Sequence, residues 1–159
     1  MGIKKAASRG FSTIELLLII AIVFLLSAVI IFESKNFREK NRDTARKDNI
    51  VSLQDQAEAY QAETGNYPTV NQMNDAGFRK TNLKDFSADL LRDPLWKNSN
   101  KNCTSKGAAI LQDSSTPATG CIGYKPAPIG CDNKTIDCTS YTLTANLESG
   151  GHYQKQSIY

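Results

Sequence analysis

The four cysteines are the residues of this chain whose chemistry is easiest to predict. Cys103, Cys121, Cys131 and Cys138 all follow a long apolar stretch. An even number of cysteines in a small domain is typical of an exported protein with disulfides. A zinc site is the alternative, but there is no Cys-x-x-Cys pair, and the single histidine, His152, is distant in sequence. We therefore predict disulfides, no metal centre and an oxidising compartment.

Glu15 is the second residue that needs a chemical explanation. It is the only charged residue between Phe11 and Phe32, in the run FSTIELLLIIAIVFLLSAVIIF. A helix of this length measures about 33 Å, so the run predicts a transmembrane helix. An ionisable side chain in such a helix is costly and indicates a function. Glu15 therefore needs a cationic partner.

No group of residues in the sequence indicates an active site. There is one histidine, and there is no glycine-rich phosphate loop, no serine paired with a base and no cluster of metal ligands. We expect no enzyme, and a membrane-anchored enzyme or solute-binding domain is the alternative from another class. Lys4, Lys5 and Arg9, near the start, account for the net charge of +3, so this charge does not predict a nucleic acid partner.

The residues after the apolar run predict that its helix continues to Thr64. Opposite charges stand four residues apart at Lys35 and Glu39 and at Asp43 and Lys47, which is typical of a solvated helix face. Apolar residues then recur at steps of three and four, at Ile50, Leu53, Ala57 and Tyr60. This second half of the helix is therefore predicted to be amphipathic.

The rest of the chain predicts short helices followed by a small sheet. Residues 71–78 and 86–93 favour short helices, and 99–120 favour a loop. Strands are predicted at 121–127, 140–148 and 152–159. The expected class is α+β: a long N-terminal helix, with a transmembrane half and an amphipathic half, packed on a small C-terminal antiparallel sheet.

Two questions of arrangement stay open in the sequence. Four cysteines allow three pairings; short loops around the strands favour Cys103 with Cys121 and Cys131 with Cys138. Basic residues are more numerous after the apolar run than before it, which would place the C-terminal part in the cytoplasm, whereas the cysteines place it outside. The apolar run itself can also be interpreted as an uncleaved signal anchor, since no A-x-A cleavage site follows it.

Residues 9–15, RGFSTIE, together with the apolar run, resemble the start of type IV pilins, a family that includes the pseudopilins of type II secretion. The resemblance implies that a prepilin peptidase cuts between Gly10 and Phe11 and N-methylates Phe11. Glu15 is then the fifth residue of the mature chain. It would pair with the amine of Phe11, of an adjacent subunit or of its own chain, in the filament; a glutamate reaching the membrane interface is the alternative.

The resemblance also implies a domain plan and a function. The plan is a leader at 1–10, a transmembrane and assembly half of the helix at 11–32, an amphipathic half at 33–65 and a globular pilin domain at 66–159. The function is that of a structural subunit, as major pilin, of a type IV pilus for adhesion, twitching motility or DNA uptake. A major pseudopilin of type II secretion is the alternative.

The implied partners follow from filament assembly. They are other copies of the chain in a helical homopolymer, the prepilin peptidase, and an assembly platform with its ATPase. The implied location is the inner membrane, as a single-pass protein, before assembly, and the extracellular filament afterwards. DNA is a further partner to consider, through Lys97, Lys101 and Lys106 beside Trp96.

Two segments resemble pseudopilins in particular, namely 64–69, TGNYPT, and 93–96, DPLW. Major pseudopilins often bind calcium near their last strands, where Asp132, Asp137 and Glu148 would here offer oxygen ligands. Calcium needs six or more ligands and no such cluster is visible in the sequence. We therefore expect no cofactor, with calcium as the alternative.

Overall fold

The computed structural model describes residues 12–84, 86–95, 103–105 and 107–159, with all their side chains except those of 29–34. The chain divides into two compact units, Met1–Arg38 and Glu39–Tyr159. Helix α1, Thr13–Thr64, contributes residues to both units. The remaining helices and strands belong to the second unit.

The predicted transmembrane half of the helix, residues 11–32, is corrected by the structure. Among the described residues, no helix is both long enough and apolar enough to cross a membrane. The expected pilin fold is therefore corrected to an α+β protein with a small antiparallel sheet.

The core of the second unit forms around the amphipathic part of α1. Ile50, Leu53 and Ala57 are fully buried, and Tyr60 packs against the same core, so the predicted apolar face is confirmed. Tyrosine and aliphatic side chains from the sheet complete this core, among them Tyr124, Tyr141, Leu143 and Ala145. The helix ends at Thr64, and Gly65 follows with a positive φ of 86°.

Two short helices replace the single one predicted at 71–78. Helix α2 is Val70–Asn74 and helix α3 is Ala76–Asn82. Asp75 separates them because its extended backbone ends α2, while its carboxylate accepts the Phe78 N–H at 2.5 Å and begins α3. The helix predicted at 86–93 is a short 3-10 helix, Ala88–Leu91.

The sheet has the three strands that the sequence predicts. Strands β3 (Ile122–Ala127), β4 (Ser140–Asn146) and β5 (His152–Gln156) form an antiparallel sheet in the order β3-β4-β5. Gly150 and Gly151 turn the chain between β4 and β5 with φ of 97° and 76°, which other residues rarely adopt.

A small hairpin lies within the range 99–120, which the sequence predicted to be a loop. Strands β1 (Thr104–Ser105) and β2 (Ala108–Ala109) pair in antiparallel register. Each strand has two residues, too few for a periodic signal in the sequence.

Candidate assembly site

The surface of α1 in the first unit is apolar and exposed. Every leucine, isoleucine, valine and phenylalanine from Ile14 to Leu26 exposes at least 42% of its surface. These residues occupy successive positions, so they cover all sides of the helix rather than one face. A helix that is apolar all round is normally buried. This segment, residues 14–26, is therefore a candidate site for association, and we call it the apolar segment.

Glu15 lies in the first turn of α1 and is exposed. The preceding Ser12 accepts the Leu16 N–H through its backbone carbonyl at 3.1 Å, which closes the first turn. A carboxylate at this position interacts favourably with the helix dipole. Gly10 and Phe11, the predicted cleavage and methylation residues, lie outside the described residues.

In the second unit, Arg46 is the centre of a buried ion cluster. Its guanidinium donates to Asp93 at 2.6 and 2.9 Å, to Asp43 at 2.7 Å and to Glu148 at 2.7 Å. Arg42 forms a second, bidentate contact with Glu148. The Arg46 side chain is only 2% exposed. The cluster therefore joins α1 to the segment after the 3-10 helix and to the turn after β4.

The protonation of this cluster is fixed by its hydrogen bonds. Burial raises the pKa of Asp43, but the backbone N–H groups of Glu148 and Ser149, with Arg46, outweigh burial and hold that pKa well below its usual range. The Arg42 guanidinium lowers the pKa of Glu148. Both acids are therefore ionised and paired at neutral pH.

Glu58 is a second polar anchor on α1. Its carboxylate accepts the hydroxyls of Tyr67 at 2.8 Å and Tyr141 at 2.7 Å, and the backbone N–H of Ile158 at 3.0 Å. Burial, together with Glu58, raises the pKa of Tyr141 well above its ordinary value. Glu58 thus holds the helix exit, the sheet and the C-terminal residues against one helix turn.

The four cysteines form two disulfides within the second unit. Cys103 bonds to Cys121 and Cys131 bonds to Cys138, with Cα–Cα distances of 5.6 and 5.1 Å. This is the pairing that the short loops favour. The second bond closes the loop between β3 and β4, where Asn133 donates to the Tyr67 carbonyl at 2.7 Å and so fixes the loop to the helix exit.

The three acids considered as calcium ligands have separate sets of partners. Asp132 accepts backbone N–H groups of its own loop, Asp137 accepts from Asn66, and Glu148 pairs with Arg42 and Arg46. Within the described ranges, no group of three or more metal-ligating side chains could hold a metal ion. The residues proposed for DNA contact, Trp96, Lys97, Lys101 and Lys106, lie outside the described residues.

Sequence reasoning missed Arg46 and assigned its neighbours to a solvated face. The structure pairs Asp43 with Arg46 rather than with Lys47, whose ammonium lies 5.8 Å from the centre of the Tyr153 ring. The spacing of the charged and apolar residues in the sequence does indicate that Arg46 is buried. Asp43, Arg46 and Ile50 follow each other at steps of three and four, so both charged residues continue the apolar face toward the N-terminus.

Comparison of this chain with family models, with curated proteins and with solved structures finds no match.

Proposed function

We propose that this chain is a structural subunit, as major pilin, of a type IV pilus, and that it polymerises through its N-terminal helix. The observation that carries the proposal is the apolar segment with one carboxylate at its start. Other copies of the chain would cover this segment in a helical homopolymer. The resulting filament would lie outside the cell and serve adhesion, twitching motility or DNA uptake.

Glu15 supports this proposal because it gives an apolar contact a fixed register. It is the only charged residue from 13 to 28. Apolar contacts alone are not directional, whereas a carboxylate buried without a cation is strongly disfavoured. The amine of a mature chain beginning at Phe11 is the cation that we propose as its partner. The processing by a prepilin peptidase that this requires is part of the proposal.

The second unit supports an extracellular location for the filament. This unit contains two disulfides, and disulfides persist in oxidising compartments. Among the described residues, every buried polar side-chain atom has a hydrogen-bond partner. Such a unit is suited to a subunit that is exposed to proteases and to shear.

The proposal is tested by replacing Glu15 and following the chain into filaments. In Glu15→Gln, we expect the amount of chain in filaments sheared from cells to fall tenfold or more, because a buried cation loses its partner. The matched control is Glu63→Gln, since the pair that Glu63 forms with Lys84 is exposed and contributes little. The total amount of chain per cell should be the same in both variants.

Equal filament yield from both variants would contradict the proposed role of Glu15. A chain that is processed but stays in the membrane fraction of wild-type cells would instead favour the pseudopilin alternative. That outcome would leave the charge pair in place and change only the filament to which it belongs.

A further inference from the structure

A pocket of about 420 Å³ lies in the second unit. Its lining comes from the start of α2, from β3 and from the loop that the Cys131–Cys138 disulfide closes, together with Asp113. The volume is within the range of small-molecule sites. The pocket is distant in sequence from the apolar segment, and nothing in the filament proposal uses it.

The charges of the described residues that line this pocket balance. Asp113 and Asp132 are matched by Lys125 and Lys134. Lys125 already pairs with Asp113 at 2.9 Å, and Asp132 Oδ1 accepts three backbone N–H groups of its own loop at 2.7 to 3.2 Å. An ion that entered the pocket would lose hydration without gaining a net opposite charge. The lining therefore favours a neutral ligand.

Hydrogen-bond donors and acceptors are both free in the pocket. Gln72 Oε1 accepts the Thr69 N–H at 2.7 Å, which leaves the Gln72 amide N–H₂ group without a partner among the described residues. Lys125 has two further N–H groups besides the one given to Asp113 Oδ1. Asp113 Oδ2 accepts no hydrogen bond from any residue in the described ranges. A ligand that fits this pocket must therefore both donate and accept.

Hydroxyl groups have the hydrogen-bonding capacity that these side chains leave open, because one oxygen both donates and accepts. At the Asp113–Lys125 pair, a hydroxyl can donate to the carboxylate and accept from the ammonium. The Lys125 and Asp113 side chains are 34% and 55% exposed, so a ligand can reach both. Val70 and Pro126 add apolar atoms to the same lining, against which the C–H groups of a sugar ring can pack.

The pocket is formed before any ligand arrives. Thr69 and Gln72 form a reciprocal capping box at the start of α2. The Cys131–Cys138 disulfide closes the loop that carries Asp132. A preorganised site of this kind loses little conformational entropy on binding.

We propose that this pocket binds a small neutral polyhydroxylated molecule, namely a hexose. Asp113 and Lys125 bind its neighbouring hydroxyls, and the Gln72 amide donates to a further hydroxyl. Val70 and Pro126 contact the carbon atoms of the ring. Because the ligand is uncharged, screening by salt does not change its affinity.

The test is a titration of the full chain, in a detergent without a sugar headgroup, followed by backbone amide NMR. The probes are glucose, galactose and mannose, and the comparison probe is N-acetylglycinamide, which is neutral and has amide groups but no hydroxyl. We expect saturable shifts at residues 69–72 and 130–134 with at least one hexose, and none with the amide. The dissociation constant for the hexose should be the same at low and at high salt.

Two variants and one control test the residues. Asp113→Ala removes an acceptor and should weaken hexose binding about tenfold; the fold should be retained, because the exposed pair with Lys125 contributes little. Gln72→Glu keeps the capping box, since glutamate also serves at this position, but it replaces the amide donor by an acceptor and should weaken binding by about the same factor. Asp55→Ala replaces an exposed aspartate on α1 that does not line the pocket and should leave the affinity unchanged.

Four results would overturn the proposal. They are the absence of saturable shifts with all three hexoses, shifts with the amide as large as those with a hexose, an affinity for the hexose that falls as salt is added, and an affinity that is the same in Asp113→Ala, Gln72→Glu and the unsubstituted chain. Because none of these measurements involves filaments, failure here leaves the proposed function untouched, and failure of the Glu15 experiment leaves this proposal untouched.

Discussion

Residues 14–26 and residues 43–60 belong to one helix but meet opposite environments. In the apolar segment every large apolar side chain is exposed, whereas Ile50, Leu53 and Ala57 are fully buried. In the second stretch, Asp43 and Arg46 are paired within the buried ion cluster. One part of the helix thus finds its partners within its own unit. The other part exposes its apolar side chains, and we propose that other copies of the chain cover them.

The largest effect should come from removing Arg46. Arg46→Ala leaves Asp43 and Asp93 buried without their cation, and we expect the free energy of unfolding to fall by about 3–5 kcal/mol. Urea unfolding followed by near-UV circular dichroism measures this change. The control is Lys84→Ala, which breaks an exposed pair worth less than about 1 kcal/mol. Equal midpoints for the two variants would show that the cluster does not stabilise the second unit.

The same leucine-to-alanine change at two places on α1 sharpens the comparison. Leu53→Ala opens a cavity in the core and should lower the free energy of unfolding by about 2–5 kcal/mol. Leu17→Ala removes an exposed side chain and should change it by less than about 0.5 kcal/mol. Filament yield should show the reverse order. Equal effects of the two changes on unfolding would contradict the division of roles.

The two disulfides should differ in their contribution because their loops differ in length. The Cys103–Cys121 bond spans 18 residues and the Cys131–Cys138 bond spans 7. In the chain-entropy model their removal costs about 3 and about 2 kcal/mol respectively. Paired cysteine-to-alanine variants, compared by urea unfolding, measure the difference. A larger loss from the shorter loop would show that loop contacts, such as Asn133 with Tyr67, outweigh loop entropy.

The smallest effect is an acid dependence of the second unit. The pKa values of Asp43 and Glu148 are both lowered in the folded chain. The contribution of these two ionised carboxylates to the free energy of unfolding is therefore complete above their unfolded pKa of about 4. It is lost as the pH falls below that value. The urea midpoint should be constant from pH 7 to 5 and then decline. Asp43→Asn should show a shallower decline, and an unchanged slope would exclude Asp43 as its source.

Periodic features of the sequence predicted much of the second unit. The steps at Ile50, Leu53 and Ala57 place the core, and alternation in 140–148 places β4, because each pattern reports burial directly. Asp75 was harder to interpret. Whether an aspartate continues a helix or ends one and caps the next depends on its backbone conformation, which the sequence does not contain.

The candidate sites also differ in whether the sequence reveals them. Glu15 is visible in the sequence because a single charge interrupts an apolar run. The pairing of Arg46 with Asp93 and Glu148 joins residues 47 and 102 positions apart, so no local pattern reveals it. The prediction of a transmembrane half rested on composition over 11–32 and does not hold for the helix residues that the structure describes.

The most direct test of the filament account is the intact mass and the N-terminal sequence of the chain in two fractions, filaments sheared from the cell surface and washed inner membranes. The account predicts a chain that begins at N-methylated Phe11 and is abundant in the sheared filaments. A chain that still begins at Met1 in both fractions would contradict it, because Glu15 would then have no processed amine to pair with.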